Sequence, residues 1–300
     1  MDDKRHHHDP VLLQDVMHYL DPKPGETVVD GTIGLGGHAA AILRAMQGRG
    51  RLIGFDQDEE ALATAKQNLR DFSGQLTLLH DNVRNIDCHF AGLSVGSFDK
   101  LVLDLGVSSL QLDCVERGFS FQSEAPLDMR MNRTRDLTAR RIVNEWDQED
   151  LEKLIRECGE ERWSRRIARR IVEERGRKPI ETTAELAKIV VKCYLPSKAA
   201  WRIHPATRTF QALRITVNQE LESLAEVLEK AWKLLNPDGR IVVISFHSLE
   251  DRIVKQRFRR WKDEGAAELL VKKPLIATDE ETEKNPRARS AKLRAIRKIK

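Results

Sequence analysis

Val28-Val29-Asp30-Gly31-Thr32-Ile33-Gly34-Leu35-Gly36-Gly37-His38 is the stretch that decides how this chain is read. An apolar pair closes on an acid, a glycine-rich turn follows, and Ala39-Ala40-Ala41-Ile42-Leu43 continues as a helix. A strand, a glycine turn and a helix N-terminus in that order bring backbone N–H groups close to a ligand and aim a helix dipole at an anion. Glycine is needed where a side chain would block the approach or forbid positive φ. By itself the turn specifies a nucleotide-like ligand and nothing narrower.

Working outward, the same alternation continues on both sides. Val11 to Leu20 carries apolar residues at roughly helical spacing, and Asp21-Pro22-Lys23-Pro24-Gly25 stops that helix. Arg51-Leu52-Ile53-Gly54-Phe55-Asp56 is a second strand ending in an acid, placed roughly 20 residues past the glycines, where a ribose-binding carboxylate belongs. A helix with Ala61, Leu62, Ala65 and Leu69 on one face follows, then the strand Leu76 to His80. Phe98 to Gly106 is a fourth strand, again with an acid near its end, at Asp104. Alternating β and α with crossovers of this length predicts a parallel sheet covered on both faces.

From about Asp113 to about Pro205 only helical signals and loops remain. Glu149 to Cys158 and Glu161 to Arg175 read as helices, and Thr182-Thr183-Ala184-Glu185 opens a third with a capping box. The α/β pattern then resumes. Gln219 to Leu235 reads as a long helix, Asn236-Pro237-Asp238-Gly239 as a turn, and Arg240 to Phe246 as an apolar strand. The expected architecture is therefore a doubly wound Rossmann-like core, residues 1–112 and 213–300, with an inserted all-helical domain over 113–212. The chain closes on a basic stretch from Asn285 to Lys300 with no acid.

Composition narrows the class. The 300 residues include 51 Lys and Arg against 47 Asp and Glu, for a formal charge of +4, so the placement of charge matters more than its sum. No apolar run approaches the ~20 residues of a membrane span, and no apolar stretch follows Met1-Asp2-Asp3-Lys4-Arg5 to act as a signal peptide. Cys88, Cys114, Cys158 and Cys193 are too scattered for a zinc site or a disulfide framework, which predicts reduced thiols in a cytoplasmic, metal-free protein. His6-His7-His8 reads as a tag remnant or an arm.

Two cofactors compete for the glycine turn. Gly34-Leu35-Gly36-Gly37-His38-Ala39 fits a G-x-G-x-x-A dinucleotide pattern with Asp56 on the ribose, which suits NAD and an oxidoreductase. Asp30 ahead of the glycines suits S-adenosylmethionine instead, whose ammonium favours an acid and whose carboxylate favours a helix N-terminus. Asp104 at a third acidic strand end weighs toward methyl transfer, because there a methyltransferase places its acceptor.

Longer strings carry a resemblance. Asp30 to His38, Leu103-Asp104-Leu105-Gly106-Val107-Ser108-Ser109, Glu116 to Phe121, Pro126 to Met131, His204 to Ile215, Ile244 to Lys255 and Asn285 to Ser290 resemble the signatures of the ribosomal RNA small subunit methyltransferase H family. The likeness runs in order from about His8 to about Arg294. It implies methylation of the exocyclic N4 of a cytidine in the decoding region of bacterial small-subunit rRNA, using S-adenosylmethionine. The implied cofactor contacts fall on Gly36, Gly37, His38, Asp56, Asp104 and Gln111. A further contact, usually phenylalanine in the family, falls on Val83, and Leu110 stands where proline is common.

Chemistry assigns roles to these positions. The cytosine amine is a poor nucleophile because its lone pair is delocalised, so an acceptor for its protons, Asp104 or the Leu105 carbonyl, is expected to orient it. Asp104 as a purely cofactor-binding acid is the competing assignment. Asp56 suits the ribose hydroxyls, His38 the cofactor carboxyl group, and Asp81 either the adenine amine or a plain turn. The base must be unstacked, which predicts single-stranded or flipped RNA. Phe246 or His247 is placed to touch it. Arg162, Arg165, Arg166, Arg169 and Arg170, with Arg208, Arg214 and the basic C-terminal stretch, are candidate backbone contacts, although Glu160, Glu161, Glu173 and Glu174 offset part of that charge. The partner is then small-subunit rRNA or the 30S subunit, and a homodimer is compatible with the chain. An RNA-binding assembly factor that merely retains a cofactor fold is the non-catalytic alternative.

Overall fold

The computed structural model describes residues 10–194 and 203–300; His6-His7-His8 lies outside the described residues. Two compact units emerge, one from the described residues up to Ser108 together with Leu221–Lys300, the other Ser109–Glu220.

In chain order the first unit begins with α1 (Leu13–Leu20), β1 (Thr27–Asp30), α2 (Gly37–Ala45), β2 (Arg51–Asp56), α3 (Glu59–Asn68), β3 (Leu76–His80), α4 (Ile86–Gly92) and β4 (Phe98–Asp104). The second unit holds α5 (Ser109–Asp113), α6 (Ala139–Glu145), α7 (Gln148–Glu157), α8 (Ser164–Arg175), α9 (Thr183–Val191) and α10 (Thr207–Asn218). The chain returns to the first unit through α11 (Glu220–Leu234), β5 (Leu235–Ser245), α12 (Ser248–Asp263), β6 (Ala267–Leu269), α13 (Asp279–Lys284) and β7 (Lys292–Lys298).

The strands form one sheet in the order β3-β2-β1-β4-β5-β7-β6. β3 to β5 are parallel, and β7 and β6 close the edge as antiparallel strands. Alternation along each strand fills both faces. Val28, Leu52, Val102 and Val242 pack into one apolar layer with α1 and α2, whereas Val29, Ile53, Leu101 and Val243 pack into the other with α11 and α12. Strand order reverses between β1 and β4, and an open α/β sheet binds ligands outside the carboxyl ends of its strands at such a point.

Two elements differ from the sequence expectation. β5 starts at Leu235 rather than Arg240, because Leu235 pairs with Phe98 before the register shifts and pairing resumes at Lys100 with Arg240. The basic C-terminal stretch is no free tail. Lys292 to Lys298 alternates Leu293 and Ala295 against Arg294 and Ile296, and pairs antiparallel with β5 along its length. Arg294 donates to Asp251 at 2.7 Å and 3.2 Å, Arg297 to Glu268, and Lys298 to the carbonyls of Trp232 and Leu235.

The second unit is built from helices and turns with an isolated bridge between Pro126 and Thr182. Thr182 accepts from the Glu185 N–H while the Glu185 carboxylate accepts from the Thr182 N–H, the reciprocal cap expected at the start of α9. Ile142, Leu151, Ile155, Ile167, Ile171 and Leu186 are buried within it.

Candidate functional site

The glycine turn leaves β1 at the sheet's carboxyl edge and is strapped to each neighbour. Gly31 N–H donates to the Val102 carbonyl and Ile33 N–H to that of Phe55. Gly34 N–H donates to Asp56 Oδ2 at 2.9 Å, and the Asp104 N–H donates to Thr32 Oγ1 at 2.7 Å. Asn68, on α3, donates to the Leu35 carbonyl. Gly31 is required by space: a Cβ there would sit 2.4 Å from Leu103 Cδ2 and 3.0 Å from Val83 Cγ2. Gly36 is required by conformation, since it caps α2 with φ 87°, a region that costs an L residue.

Three acids end adjacent strands around this turn: Asp30 on β1, Asp56 on β2 and Asp104 on β4. Burial pushes Asp30 up to about 7 against a hydrogen bond from Thr32, and the Asp56 charge adds to it. Burial pushes Asp56 up to about 6, opposed by N–H donors from Asp58 and Gly34. Asp104 is highest, about 8, raised by burial and then by the charges of Asp30 and Glu250. No Lys or Arg among the described residues pairs with these three acids. At the amino edge of the same sheet, charge is compensated instead: buried Lys100 pairs with Glu26 at 3.1 Å, and Asp99 accepts from Thr27 and Asn236. These three acids have no cation paired to them at the edge where the ligand is expected.

The atoms left over are informative. Asp104 Oδ1 is shielded from solvent and has no hydrogen-bond partner among the described residues. Asp56 accepts backbone N–H groups from Asp58, Gly34 and Gln57, which leaves part of the carboxylate's acceptor capacity for a hydroxyl. Such groups are costly unless a ligand completes them.

His38 is buried in the first turn of α2, with Nε2 3.0 Å from the Val11 carbonyl. A carbonyl only accepts, so Nε2 carries the proton, and Nδ1 turns toward Asp104 Oδ2 at 3.7 Å. Gly37 opens the helix beside it.

Phe246 follows β5, and its ring edge lies 3.4 Å from where a Cβ on Gly106 would be. Buried Glu250 fixes this corner, accepting from the Phe246 N–H at 2.8 Å and the His247 N–H at 3.3 Å. His247 caps α12, its Nδ1 accepting from the Glu250 N–H. Thr32 and Glu250 were missed in the sequence. A capping-box spacing, His247 to Glu250, was the available signal for the second, and nothing local marks the first.

The structure thus brings Gly36, Gly37, His38, Asp56 and Asp104 together at one edge of the first unit. Val83 is buried behind the turn, packed beside Gly31 with Leu103. Gln111 is buried in the second unit on α5, as Leu110 is part of the same helix. Asp81 serves a local turn, accepting from the Asn82 N–H, Asn85 and His89. Several candidate RNA arginines are already engaged: Arg169 and Arg170 pair with Glu173 and Glu174, Arg208 donates to the Glu160 carbonyl, and Arg214 makes a bidentate pair with Glu220. Arg165 and Arg166 are exposed on α8 and make no ion pair among the described residues.

This electrostatic pattern separates the two cofactor classes. A dinucleotide would bring its pyrophosphate against three clustered acids, whereas S-adenosylmethionine brings a sulfonium and an ammonium to them. Its carboxylate suits the positive end of α2, and a ribose hydroxyl suits the remaining acceptor capacity of Asp56.

Known proteins agree with that geometry. Residues 5–299 match the model of the MraW methylase family. A ribosomal RNA small subunit methyltransferase H from Symbiobacterium thermophilum is 49% identical over 309 residues, covering 98% of this chain and 97% of the relative. Proteins of the same name from Acidobacterium capsulatum and Heliobacterium modesticaldum are 51% and 47% identical, each covering 98% of this chain and 99% of the relative. The chain belongs to the MraW methylase family and is an S-adenosylmethionine-dependent methyltransferase.

Proposed function

We propose that this chain methylates the exocyclic N4 of a cytidine in the decoding region of bacterial small-subunit (16S) rRNA, free or within the 30S subunit, in the cytoplasm. The observation that carries the reading is Asp104. It is a carboxyl group that burial and the charges of Asp30 and Glu250 push up to about 8, with one shielded oxygen unpartnered among the described residues, at the end of the strand beside the glycine turn. The family and the names of its relatives supply the substrate class.

When bound, S-adenosylmethionine supplies an electrophilic sulfonium methyl group. Asp56 holds the ribose, the first-turn amides of Gly37 and His38 take the methionine carboxylate, and Val83 lines the first unit's side of the site; the family resemblance adds Gln111. Positive charge placed near Asp104 favours its ionised form. Asp104 then accepts a proton of the cytosine amine, which lets the nitrogen lone pair localise as it attacks. His38 acts as a positioning residue: anchored on Val11, it turns an acceptor nitrogen toward the Asp104 carboxyl group. Phe246 offers a face for the base, in place of the aromatic that other amino-methyltransferases carry on the β4 motif. Residues 113–212, most of the second unit, recognise the RNA, with Arg165 and Arg166 as its uncommitted cations, and a homodimer is compatible with this arrangement.

The test is transfer of radiolabel from S-adenosylmethionine to undermethylated small subunits and to free small-subunit RNA, followed by nucleoside identification. Label in N4-methylcytidine is expected. Absence of label from both substrates overturns the reading.

A further inference from the structure

One feature of the first unit lies outside the cofactor edge. A cavity of about 170 Å³ opens between α12 and the chain that leaves edge strand β6. Its apolar floor comes from Phe258, Leu269, Val271 and Pro274, and its rim carries Lys255, Arg259, Lys272 and Lys273. Arg294, the fifth cation in the wall, is neutralised by its bidentate pair with Asp251.

The local sequence explains the arrangement. Asp251, Lys255 and Arg259 recur every four residues, which places them on one stripe of α12 at intervals of about 6 Å. After β6, Leu270 donates to the Ala295 carbonyl and Leu275 pairs with Leu293, which holds Lys272, Lys273 and Pro274 beside that stripe. No ion pair among the described residues involves the four rim cations. Two other α12 cations are compensated: Arg257 pairs with Glu229, and Arg260 with Glu264. Uncompensated like charges gathered at one place repel one another and raise the local concentration of anions.

We propose that this cavity and its rim bind the sugar–phosphate backbone of single-stranded RNA flanking the target base. The inference rests on the RNA substrate proposed above. Volume argues for a polymer segment over a separate small molecule, since sites for ligands of drug size usually occupy about 300–1,000 Å³. An apolar floor ringed by cations suits a ribose or base with phosphates on either side. Continuity supports the same occupant. α12 begins at the Phe246-His247 corner of the cofactor edge, and one turn later its Asp251 holds Arg294, a residue of the cavity wall. A strand whose base reaches Phe246 therefore meets the rim by following the helix. Arginine content alone points to α8 as the basic element; ion pairing leaves this stripe of α12 the more open anion surface.

Binding of a fluorescently labelled single-stranded oligoribonucleotide is measured against salt concentration for the wild type and the quadruple variant Lys255→Gln, Arg259→Gln, Lys272→Gln, Lys273→Gln. Each lost phosphate contact makes the slope of log affinity against log salt shallower by about 0.7. A total change of about 2–3 is expected, with S-adenosylmethionine affinity and melting temperature unchanged. The pair Arg257→Gln, Arg260→Gln serves as the same-helix control and leaves the slope as it was. Should the quadruple variant melt early, Lys272→Gln and Lys273→Gln, both exposed, are read singly for a change of about 0.7 each. An unchanged slope in the folded variants overturns the inference. So does loss of binding to phosphatidylserine vesicles with RNA binding intact, which would mark a membrane contact instead. Label transfer run in parallel keeps the two readings apart. Active wild type with an unchanged slope refutes only the cavity, and inactive wild type with a changed slope refutes only the methylation.

Discussion

Replacing Asp104 by asparagine tests the chemistry most directly, because it keeps the shape of the side chain and removes its ionisation. With the carboxyl group pushed up to about 8, roughly one-tenth is ionised at pH 7 and roughly nine-tenths at pH 9. If the ionised form accepts the amine proton, kcat/KM for the cofactor rises about tenfold between those values, because that ratio reports the free enzyme. A sulfonium nearby lowers the proton affinity of the carboxyl group by about 10- to 1000-fold, so the rise in kcat falls at lower pH than the rise in kcat/KM. Asp104→Asn loses the upper ionisation and about 10²- to 10⁴-fold in kcat. Stability supplies a second readout. Asp104 is raised from 3.8 to about 8 in the fold, so the native state keeps a proton that the unfolded chain has released. Its stabilising contribution is complete below 3.8 and is lost as pH rises through about 8. The variant therefore gains in melting temperature relative to wild type as pH increases toward 9. Steady-state kinetics across pH, with calorimetric cofactor titrations, settle the matter. An Asp104→Asn protein that binds cofactor normally and turns over at the wild-type rate refutes the proton-acceptor role.

Asp56→Asn leaves the fold intact and weakens S-adenosylmethionine binding by about 1.5–3 kcal/mol, or roughly 10- to 100-fold, measured by calorimetry; unaltered affinity excludes the ribose role. Gly31→Ala drives a methyl group to 2.4 Å from Leu103 Cδ2. It should cost about 1–3 kcal/mol of stability and lower the melting temperature by several degrees; an unchanged melting temperature means the turn has room that the packing denies. Phe246→Leu reduces kcat/KM for RNA by the value of one base stack, about 1–3 kcal/mol, with cofactor affinity preserved; unimpaired RNA kinetics would move the base elsewhere.

Much of the site was legible because its signals are local. A glycine at the α2 cap and acids at strand ends are consequences of how a chain turns from β to α, and that spacing is written over a few tens of residues. The helical pattern of residues 148–191 was readable for the same reason, down to the Thr182–Glu185 cap. Local signals stop where partners come from afar. Lys292 to Lys298 looks like a cationic tail until β5 pairs with it, and Arg294 loses its availability to Asp251, 43 residues away. Arg214, too, looks like an RNA contact until the turn after α10 brings Glu220, six residues on, into a bidentate pair with its Nε and Nη2.

By itself the sequence determined a doubly wound α/β core, a cofactor turn and the identity of the acids around it, because backbone sterics and hydrophobic period act between near neighbours. Only the tertiary structure decided what those acids are. Asp30, Asp56 and Asp104 gain proton affinity because the sheet sets three strand ends side by side, Asp30 buried and the other two half-buried, with no Lys or Arg among the described residues paired to them. Desolvation and like charge depend on three-dimensional surroundings, and the same holds for which of the many lysines and arginines remain free for a polyanion.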